Sequence, residues 1–331
     1  MISIVTGGAY GDEGKGKVVA YLSKRIGDIV IRAGGGPQAG HHIDKDRFVC
    51  QVPSGLANEK AILGIARGTV INPSIVLAEI EKYALHDRIF IDPGCTIIEN
   101  DDIEEEKDLV KRIGSVGTGV GPARVRRIMR SAKIAKDVPE LKRYLARMTD
   151  IIREGRFKDV LIEGVQGYGL DLLDADYYPF VTSQSTIASQ FAADVGIGPR
   201  SITNVYTCFK AYVTRVGAGR LFEEWDEEKR KMYGIDERGT ISGRLRRIGN
   251  FDIEMAKLSI EANSANIIII NCLDRLFPTC KGLKKAEDVH IFAPNALSFV
   301  HKIVRELKFE GSVLVGTGED YENIVNLGIL R

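Results

Sequence analysis

Short, continuous apolar runs alternate with helix-forming segments along the whole chain, and this alternation restricts the fold more than any other feature. The runs fall at Ile2–Val5, Asp28–Ile31, Arg88–Ile91, Val160–Ile162, Asn204–Tyr212, Asn266–Ile270 and Ser312–Val315. Several are apolar throughout, the pattern of parallel strands covered on both faces. Helical periodicity fills the intervals at Gly16–Lys24, Pro73–Leu85, Ile103–Arg112, Val138–Arg153, Ile187–Val195, Phe251–Ala262 and Asn295–Leu307. Asn72–Pro73 and Asp137-Val138-Pro139 mark helix starts by a capping side chain and an early proline. The expectation is an α/β fold with a large, mostly parallel central sheet flanked by helices. No repeat, low-complexity segment or linker divides the 331 residues. One domain over 1–331 is therefore expected, with small insertions near 100–150 and 220–250.

Glycine is in excess, 35 residues against roughly 23 at the average usage of ~7%. The Gly-rich segments follow the first two strands and recur at Gly114–Gly121, Glu163–Gly169 and Gly316–Gly318. Ligands of open α/β sheets bind beyond the carboxyl ends of the strands, which is the edge these loops would line. The charge balance, 46 Lys+Arg against 45 Asp+Glu, gives no basic surface for nucleic acid. No apolar window is long enough for a membrane span. Cys50, Cys95, Cys208, Cys272 and Cys280 are dispersed, and His41, His42, His86, His290 and His301 share no zinc spacing with them. Dispersed thiols and an N-terminus without a charged leader point to the cytoplasm. The acidic run Asp101–Asp108 reads as the solvated face of a helix.

Four segments carry chemistry. The first, Gly11-Asp12-Glu13-Gly14-Lys15-Gly16-Lys17-Val18, lies between a strand and a helix and has the G-x-x-x-x-G-K spacing of a phosphate-binding P-loop. Its glycines let backbone N–H groups wrap a phosphate at a helix N-terminus, and Lys15 and Lys17 can neutralise phosphate oxygens. Val18 stands where such loops carry the Ser or Thr that holds Mg²⁺, so Asp12 is the candidate metal ligand. The second, Gly34-Gly35-Gly36-Pro37-Gln38-Ala39-Gly40-His41-His42, ends in a histidine that can give a proton or hydrogen bond to a phosphoryl oxygen. A purely structural His41 is the competing interpretation.

The third segment, Asn271-Cys272-Leu273-Asp274, follows the Ile267–Ile270 run. Its aspartate can accept two hydrogen bonds from guanine, as in the N-K-x-D reader of GTPases; a helix-capping aspartate is the alternative. The fourth, Arg238-Gly239-Thr240-Ile241-Ser242-Gly243-Arg244-Leu245-Arg246-Arg247, mixes guanidiniums, hydroxyls and glycines in the manner of a mobile loop for carboxylate or phosphate.

Together with Gly114–Ala123, Glu163-Gly164-Val165-Gln166-Gly167, Tyr178–Ser183, Lys210–Gly217 and the final Gly316-Thr317-Gly318, these segments resemble the adenylosuccinate synthetase family in composition and order. The resemblance implies a P-loop-NTPase-like fold and a ligase of purine biosynthesis. GTP phosphorylates the 6-oxygen of IMP, and L-aspartate then displaces the phosphate to give adenylosuccinate, GDP and phosphate. It assigns catalysis to Asp12, His41 and Gln166, with Asp12 as base toward N1 of IMP and His41 as acid toward the phosphoryl group. GTP would meet Gly11, Asp12, Glu13, Gly14, Lys15, Gly16, Lys17, Arg246, Cys272, Leu273, Asp274, Gly316, Thr317 and Gly318. IMP would meet Asp12, Lys15, Gln38, Ala39, Gly40, His41, Ser115, Thr118, Gln166, Thr182 and Arg244, with Arg130 supplied by the neighbouring subunit of a homodimer. Thr240, Ile241, Ser242, Gly243, Arg244, Leu245 and Arg246 would hold aspartate. One Mg²⁺ per subunit would bind Asp12 and the Gly40 carbonyl. The chain departs from the family pattern at Gln38 (usually Asn), Val116 (a Thr on the IMP phosphate) and Cys272 (a Lys near guanine). Ser115 or Thr118 would then supply the hydroxyl that Val116 lacks. The chain is also shorter than typical members between Ile98 and Gly114 and after Asp274. A GTP-binding regulatory switch, or another nucleotide-dependent ligase on the same scaffold, would share the first loop. The switch predicts a P-loop hydroxyl and a full N-K-x-D, and this sequence has neither.

Overall fold

The computed structural model describes residues 1–154, 157–239 and 243–330. Nine strands form one sheet: β1 (Ile2–Gly7), β2 (Ile29–Arg32), β3 (Ile62–Ile65), β4 (Ile89–Ile91), β5 (Val160–Glu163), β6 (Asn204–Lys210), β7 (Ile267–Asn271), β8 (Ser312–Gly316) and β9 (Ile324–Ile329). Their order is β9-β8-β7-β6-β1-β5-β2-β3-β4. All pairs are parallel except β8–β9, the antiparallel edge. β1 lies between β5 and β6, with Ile4 opposite Ile162 on one side and Val205 on the other. Strands covered on both faces need apolar residues at successive positions, and Ile29, Val30 and Ile31 are all fully buried.

One expected helix is broken up, and two strands of the main sheet are unexpected. The helix expected over Val138–Arg153 is instead a 3-10 segment, Pro139–Tyr144, followed by a short helix, Met148–Arg153. The intervening backbone is extended, and Ala146 N–H donates to the Ile91 carbonyl at 3.0 Å, so pairing with β4 interrupts the helix. The unexpected strands are β3, only four residues long, and β9, in which only Ile324 and Val325 are buried. Neither carries a long apolar run.

Helices α1 (Lys15–Ile26), α2 (Pro73–Lys82), α3 (Asn100–Ile113), α4 (Val120–Ile128), α5 (Ala188–Val195), α6 (Ile253–Asn263) and α7 (Pro294–Leu307) surround the sheet. Asn72 caps α2 through its side chain, accepting from Ser74 and Ile75 N–H, as its sequence predicts. The acidic run is helical, but its inner face is not solvated. Asp102 is fully buried on Arg126, and buried Glu106 accepts from Ser115 Oγ and Gly119 N–H. An acidic periodicity cannot reveal that the next loop folds back onto it.

The functional consequence of the topology is convergence. Loops after β1, β2, β5, β6 and β7 all leave the carboxyl edge of adjacent strands. Residues far apart in sequence thereby line one crevice.

Candidate active site

The first loop is built to present backbone. Gly14 precedes α1 in the left-handed region (φ 76°) with no side-chain cap, so the first-turn N–H groups of α1 face outward as an anion site. Gly16 has a different reason. A Cβ there would sit 2.6 Å from the His42 carbonyl and 2.7 Å from His41 Cβ, so glycine is what lets the second loop close onto the first. Glu13 turns inward, accepting from Ala9 N–H (3.0 Å) and Gly11 N–H (2.7 Å) and pairing with Lys15 at 2.8 Å. Asn271 Nδ2 donates to the Glu13 carbonyl at 2.6 Å, and Lys17 Nζ to the Gly318 carbonyl at 2.8 Å. Strand ends β7 and β8 are thus fastened to the first loop.

Two cavities open at this edge. One is lined by Gly11, Asp12, Gly14, Lys15, Gly16 and Lys17, with Asn271, Cys272, Asp274, Arg275 and Gly318 opposite. The other is lined by Asp12, Gln38, Ala39, Gly40, Ser115, Val116, Gln166, Thr182, Arg215 and Arg244. Gly11, Asp12, Gly40, His41 and Arg246 belong to both. The second cavity carries polar atoms that are buried and unpartnered: Oε1 of Gln38, Oε1 of Gln166 and Nε of Arg215 and Arg246. Buried polar groups are normally satisfied, so this concentration marks a surface shaped for a polar ligand. Gln166 also adopts a left-handed backbone (φ 60°), which is rare for a non-glycine residue and typical of functional loops.

At the junction, Asp12 Oδ1 pairs with Arg246 Nη2 at 2.8 Å. Burial raises the Asp12 carboxyl above its ordinary value, against the opposing charges of Arg246 and Lys210. That shift brings a carboxylate base closer to neutral pH. Arg246 Nη1 reaches Glu237 Oε2 at 2.8 Å, and Lys210 Nζ reaches the same oxygen at 2.6 Å. Burial pushes Glu237 up, but Lys210, Tyr212 and Arg246 together hold it down at about 2.

His41 has an equally organised support. Its Nδ1 meets Glu163 Oε1, and Arg32 Nη1 lies 2.7 Å from the same nitrogen. Glu163 also accepts from Ser54 N–H (2.7 Å) and Ser54 Oγ (2.6 Å), and Arg32 Nη1 lies 3.4 Å from it. Burial favours a charged Glu163 least, yet His41, Arg32 and Ser54 outweigh it and hold the carboxyl at about 2. Burial, then the Arg32 charge, lowers His41 to about 4 despite Glu163. Arg32 already balances the carboxylate, so the imidazole lies beside a nearly neutral pair and stays uncharged at neutral pH.

A family model described as adenylosuccinate synthetase matches residues 4–157 and 132–287. An adenylosuccinate synthetase from Archaeoglobus fulgidus is 42% identical over 336 residues, covering 98% of each chain. The chain belongs to this family. It is a ligase that joins IMP and L-aspartate in a GTP-dependent reaction, and none of the matches favours a regulatory switch. Its short loops are not a private truncation, since the archaeal relative is covered almost end to end. The fold is shared with the fully ligated adenylosuccinate synthetase of Plasmodium falciparum (TM-score 0.86, 22% identity, 99% of each chain). It is also shared with the succinoaminodeoxyadenylate synthetase of cyanophage S-2L, bound to dGMP and dATP as energy donor (TM-score 0.79, 20% identity, 98% of this chain and 95% of that one).

Most of the residues expected from sequence converge on the two cavities, but not all. Glu13 and Leu273 are buried and line neither; nor do Gly316, Thr317, Gly243 or the exposed Leu245. Lys15 lines only the cavity of the first loop, and Arg130 is exposed, away from both. The two hydroxyls expected to act in place of a threonine at Val116 differ in position. Ser115 lines the second cavity but donates to Glu106; Thr118 lines neither and its Oγ1 is unpartnered. Arg244 Nη2 donates to the Gly114 carbonyl at 2.7 Å, so it rests on the same loop. Thr240, Ile241 and Ser242 lie outside the described residues. Sequence reasoning passed over Arg215, Lys210 and Glu237. The first two stand in the Lys210–Gly217 block; Glu237 carries no signal of its own.

Proposed function

We propose that GTP occupies the cavity of the first loop and IMP the other, so that the γ-phosphoryl group and the purine 6-oxygen meet where Asp12, Gly40, His41 and Arg246 are shared. The sharing of these residues by both cavities is the observation that carries the assignment. Asp12 removes the proton from N1 of IMP, which makes the 6-oxygen a nucleophile. That oxygen attacks the γ-phosphorus, its P–O bond forms, and GDP leaves. The aspartate amine then adds at C6, the C6–O bond breaks, and phosphate departs with the oxygen. Phosphorylation matters because an amide-like oxygen leaves poorly, whereas phosphate leaves readily.

The neutral imidazole of His41 has its Nδ1 committed to the Arg32–Glu163 pair. Its other nitrogen is available to the phosphoryl oxygens, whose negative charge raises the imidazole's proton affinity from about 4. Gln166 and Gln38 contribute their unpartnered oxygens to IMP, and Thr182 lines the same cavity. Asp274 reads guanine from the far end of the nucleotide cavity, with Cys272 beside it. Arg244 and Arg246 grip the substrate dicarboxylate.

The donor set suits Mg²⁺, which takes hard oxygen ligands and few protein carboxylates. Asp12, whose Oδ2 meets Thr214 Oγ1 at 3.5 Å, and the Gly40 carbonyl are the groups that would hold it. When bound it neutralises charge on the transferring phosphate. A homodimer is supported by the exposed Val125, Ile128 and Met129 on and beside α4, next to Arg130. The single-domain organisation with two insertions belongs to the same proposal. So does a cytoplasmic location, which the free Cys50, Cys95, Cys208, Cys272 and Cys280 suit.

Incubation with GTP, IMP and L-aspartate tests the reading. Succino-purine absorbance should rise only when all three are present with Mg²⁺. Phosphate release from GTP alone at the same rate would sink it.

A further inference from the structure

The loop between Arg238 and Arg246 is fastened at its base by one acid. Glu237 accepts from the Arg246 backbone N–H through its carbonyl (2.9 Å) and from Arg246 Nη1 through Oε2 (2.8 Å). Lys210 Nζ, at the end of β6, holds Oε2 at 2.6 Å, and Tyr212 OH donates to Oε1. The carboxylate is therefore held by Lys210, the last residue of β6, and by Tyr212, two residues beyond it. Arg246 uses Nη1 on Glu237, which leaves the opposite edge of the guanidinium. There Nη2 takes Asp12 Oδ1 at 2.8 Å, and the neighbouring Nε is buried without a partner. The Nε–Nη2 edge is one of the two forks by which arginine binds a carboxylate through paired hydrogen bonds. Arg246 lines both cavities, and the carboxylate of Asp12 already engages half of this edge.

We propose that Glu237 is a positioning residue for L-aspartate: by holding Nη1 of Arg246 against the end of β6, it fixes the Nε–Nη2 edge where a substrate carboxylate binds. The inference rests on the reading of Arg246 as a dicarboxylate ligand. Glu237 borders the nucleotide cavity, but its carboxylate oxygens are already taken by Lys210, Tyr212 and Arg246. It acts by removing the rotational freedom of a side chain that would otherwise sample many rotamers.

Glu237→Gln tests this, with KM measured separately for aspartate, IMP and GTP. Losing one charged hydrogen bond to the guanidinium should raise the aspartate KM about ten- to a hundredfold, with the IMP KM within about twofold. Glu237→Asp keeps the charge but withdraws it by a methylene, and should fall between. Because Glu237→Gln leaves Lys210 buried without its carboxylate, the pair K210M/E237Q serves as control. It should regain thermal stability and keep the raised aspartate KM. An aspartate KM unchanged in Glu237→Gln, equal rises in all three KM values, or recovery of the aspartate KM in the pair would overturn the proposal. A wild type that fails to join IMP and aspartate would overturn the functional reading itself, a separate outcome.

Discussion

The two walls of the crevice are made differently. On the nucleotide wall, the side chains of the first loop point inward and satisfy one another: Glu13 on two loop N–H groups and Lys15, Asn271 on the Glu13 carbonyl, Lys17 on Gly318. What it offers a ligand is mostly backbone at the start of α1. On the opposite wall, Gln38, Gln166 and Arg215 keep buried polar atoms without partners, against Asn271 Oδ1 alone among the described residues that line only the nucleotide cavity. A phosphate chain needs only a fixed array of N–H groups and positive charge, so its wall can be finished in advance. A purine and an amino acid must be distinguished from close analogues, and that requires side chains with unused hydrogen-bonding capacity. The phosphate end of the first wall depends little on any single side chain, whereas its guanine end, at Asp274, and the junction depend on theirs.

Asp12→Asn is the largest expected effect, because the junction serves both walls. On the proposed roles of Asp12 it removes the N1 base and a metal donor together, and turnover should be abolished. Nucleotide should still bind through the finished wall, measured by calorimetry with GDP. Near-normal turnover would break the comparison at its centre.

His41→Asn comes next. Removing a proton or hydrogen bond to the transferring group costs on the order of 10²–10³ in kcat. A change confined to KM would make His41 a binding residue only. The same variant sharpens the electrostatic account. Native His41 titrates at about 4, while in the unfolded chain it titrates near ~6.5. The unfolded state therefore takes the proton first, and stability is lost as pH falls from the higher value through the lower one. Denaturant unfolding followed over that window should show a shallower decline for His41→Asn than for wild type.

Asp274→Asn addresses the far end of the finished wall. A carboxylate accepts from both guanine donors, whereas an amide accepts once and offers a hydrogen. The kcat/KM for GTP should fall by about ten- to a hundredfold and that for xanthosine- or inosine-type triphosphates should rise relative to it. Cys272 in place of the family's lysine leaves this discrimination to Asp274, which is why the substitution is informative here. Equal use of ATP and GTP by wild type would mean that Asp274, which lies within the short helix Leu273–Leu276 and does not cap it, does not read the base.

The same contrast explains what could be read from the sequence. The finished wall lies on two consecutive elements, β1 and α1, whose strand, glycines and lysines stand together in one stretch, so its chemistry is local and legible. Continuous apolar runs exposed β1, β2, β4, β5, β6, β7 and β8 for the same reason. β3, four residues with a glycine inside, and the half-exposed β9 carry too little apolar sequence to be seen. Glu237 and Arg32 are invisible because their meaning comes from partners brought by the topology: Lys210 for one, Glu163 and His41 for the other. Buried Asp102 and Glu106 were hidden by an ordinary acidic helix pattern. Family resemblance named residues that line the two cavities, Asp12, His41 and Gln166 among them, but the side chains that brace them are seen only in the structure.

Glu106 gives the smallest expected effect, on the outer rim of the substrate wall. Its carboxylate holds the loop after α3 by Ser115 Oγ and Gly119 N–H, and Ile113, Gly114, Ser115 and Val116 of that stretch line the substrate cavity. Gly114, Gly117 and Gly119 all have positive φ, so this backbone has little stiffness of its own and depends on Glu106 for its shape. Glu106→Gln retains one acceptor for Gly119 N–H, and the Ser115 hydroxyl can rotate to accept from the new amide. Only charge assistance is removed, and the IMP KM should change by about twofold or less. Glu106→Ala leaves Gly119 N–H buried without an acceptor, at a local cost of roughly 1–3 kcal/mol. A loop loosened to that degree should raise the IMP KM about three- to tenfold, while kcat, set at the junction, stays near wild type. Arg244 leans on the Gly114 carbonyl, so a smaller rise in the aspartate KM should accompany it. If Glu106→Ala lowers kcat and leaves the IMP KM alone, the rim is part of the reacting junction, and the division between the two walls must be redrawn there.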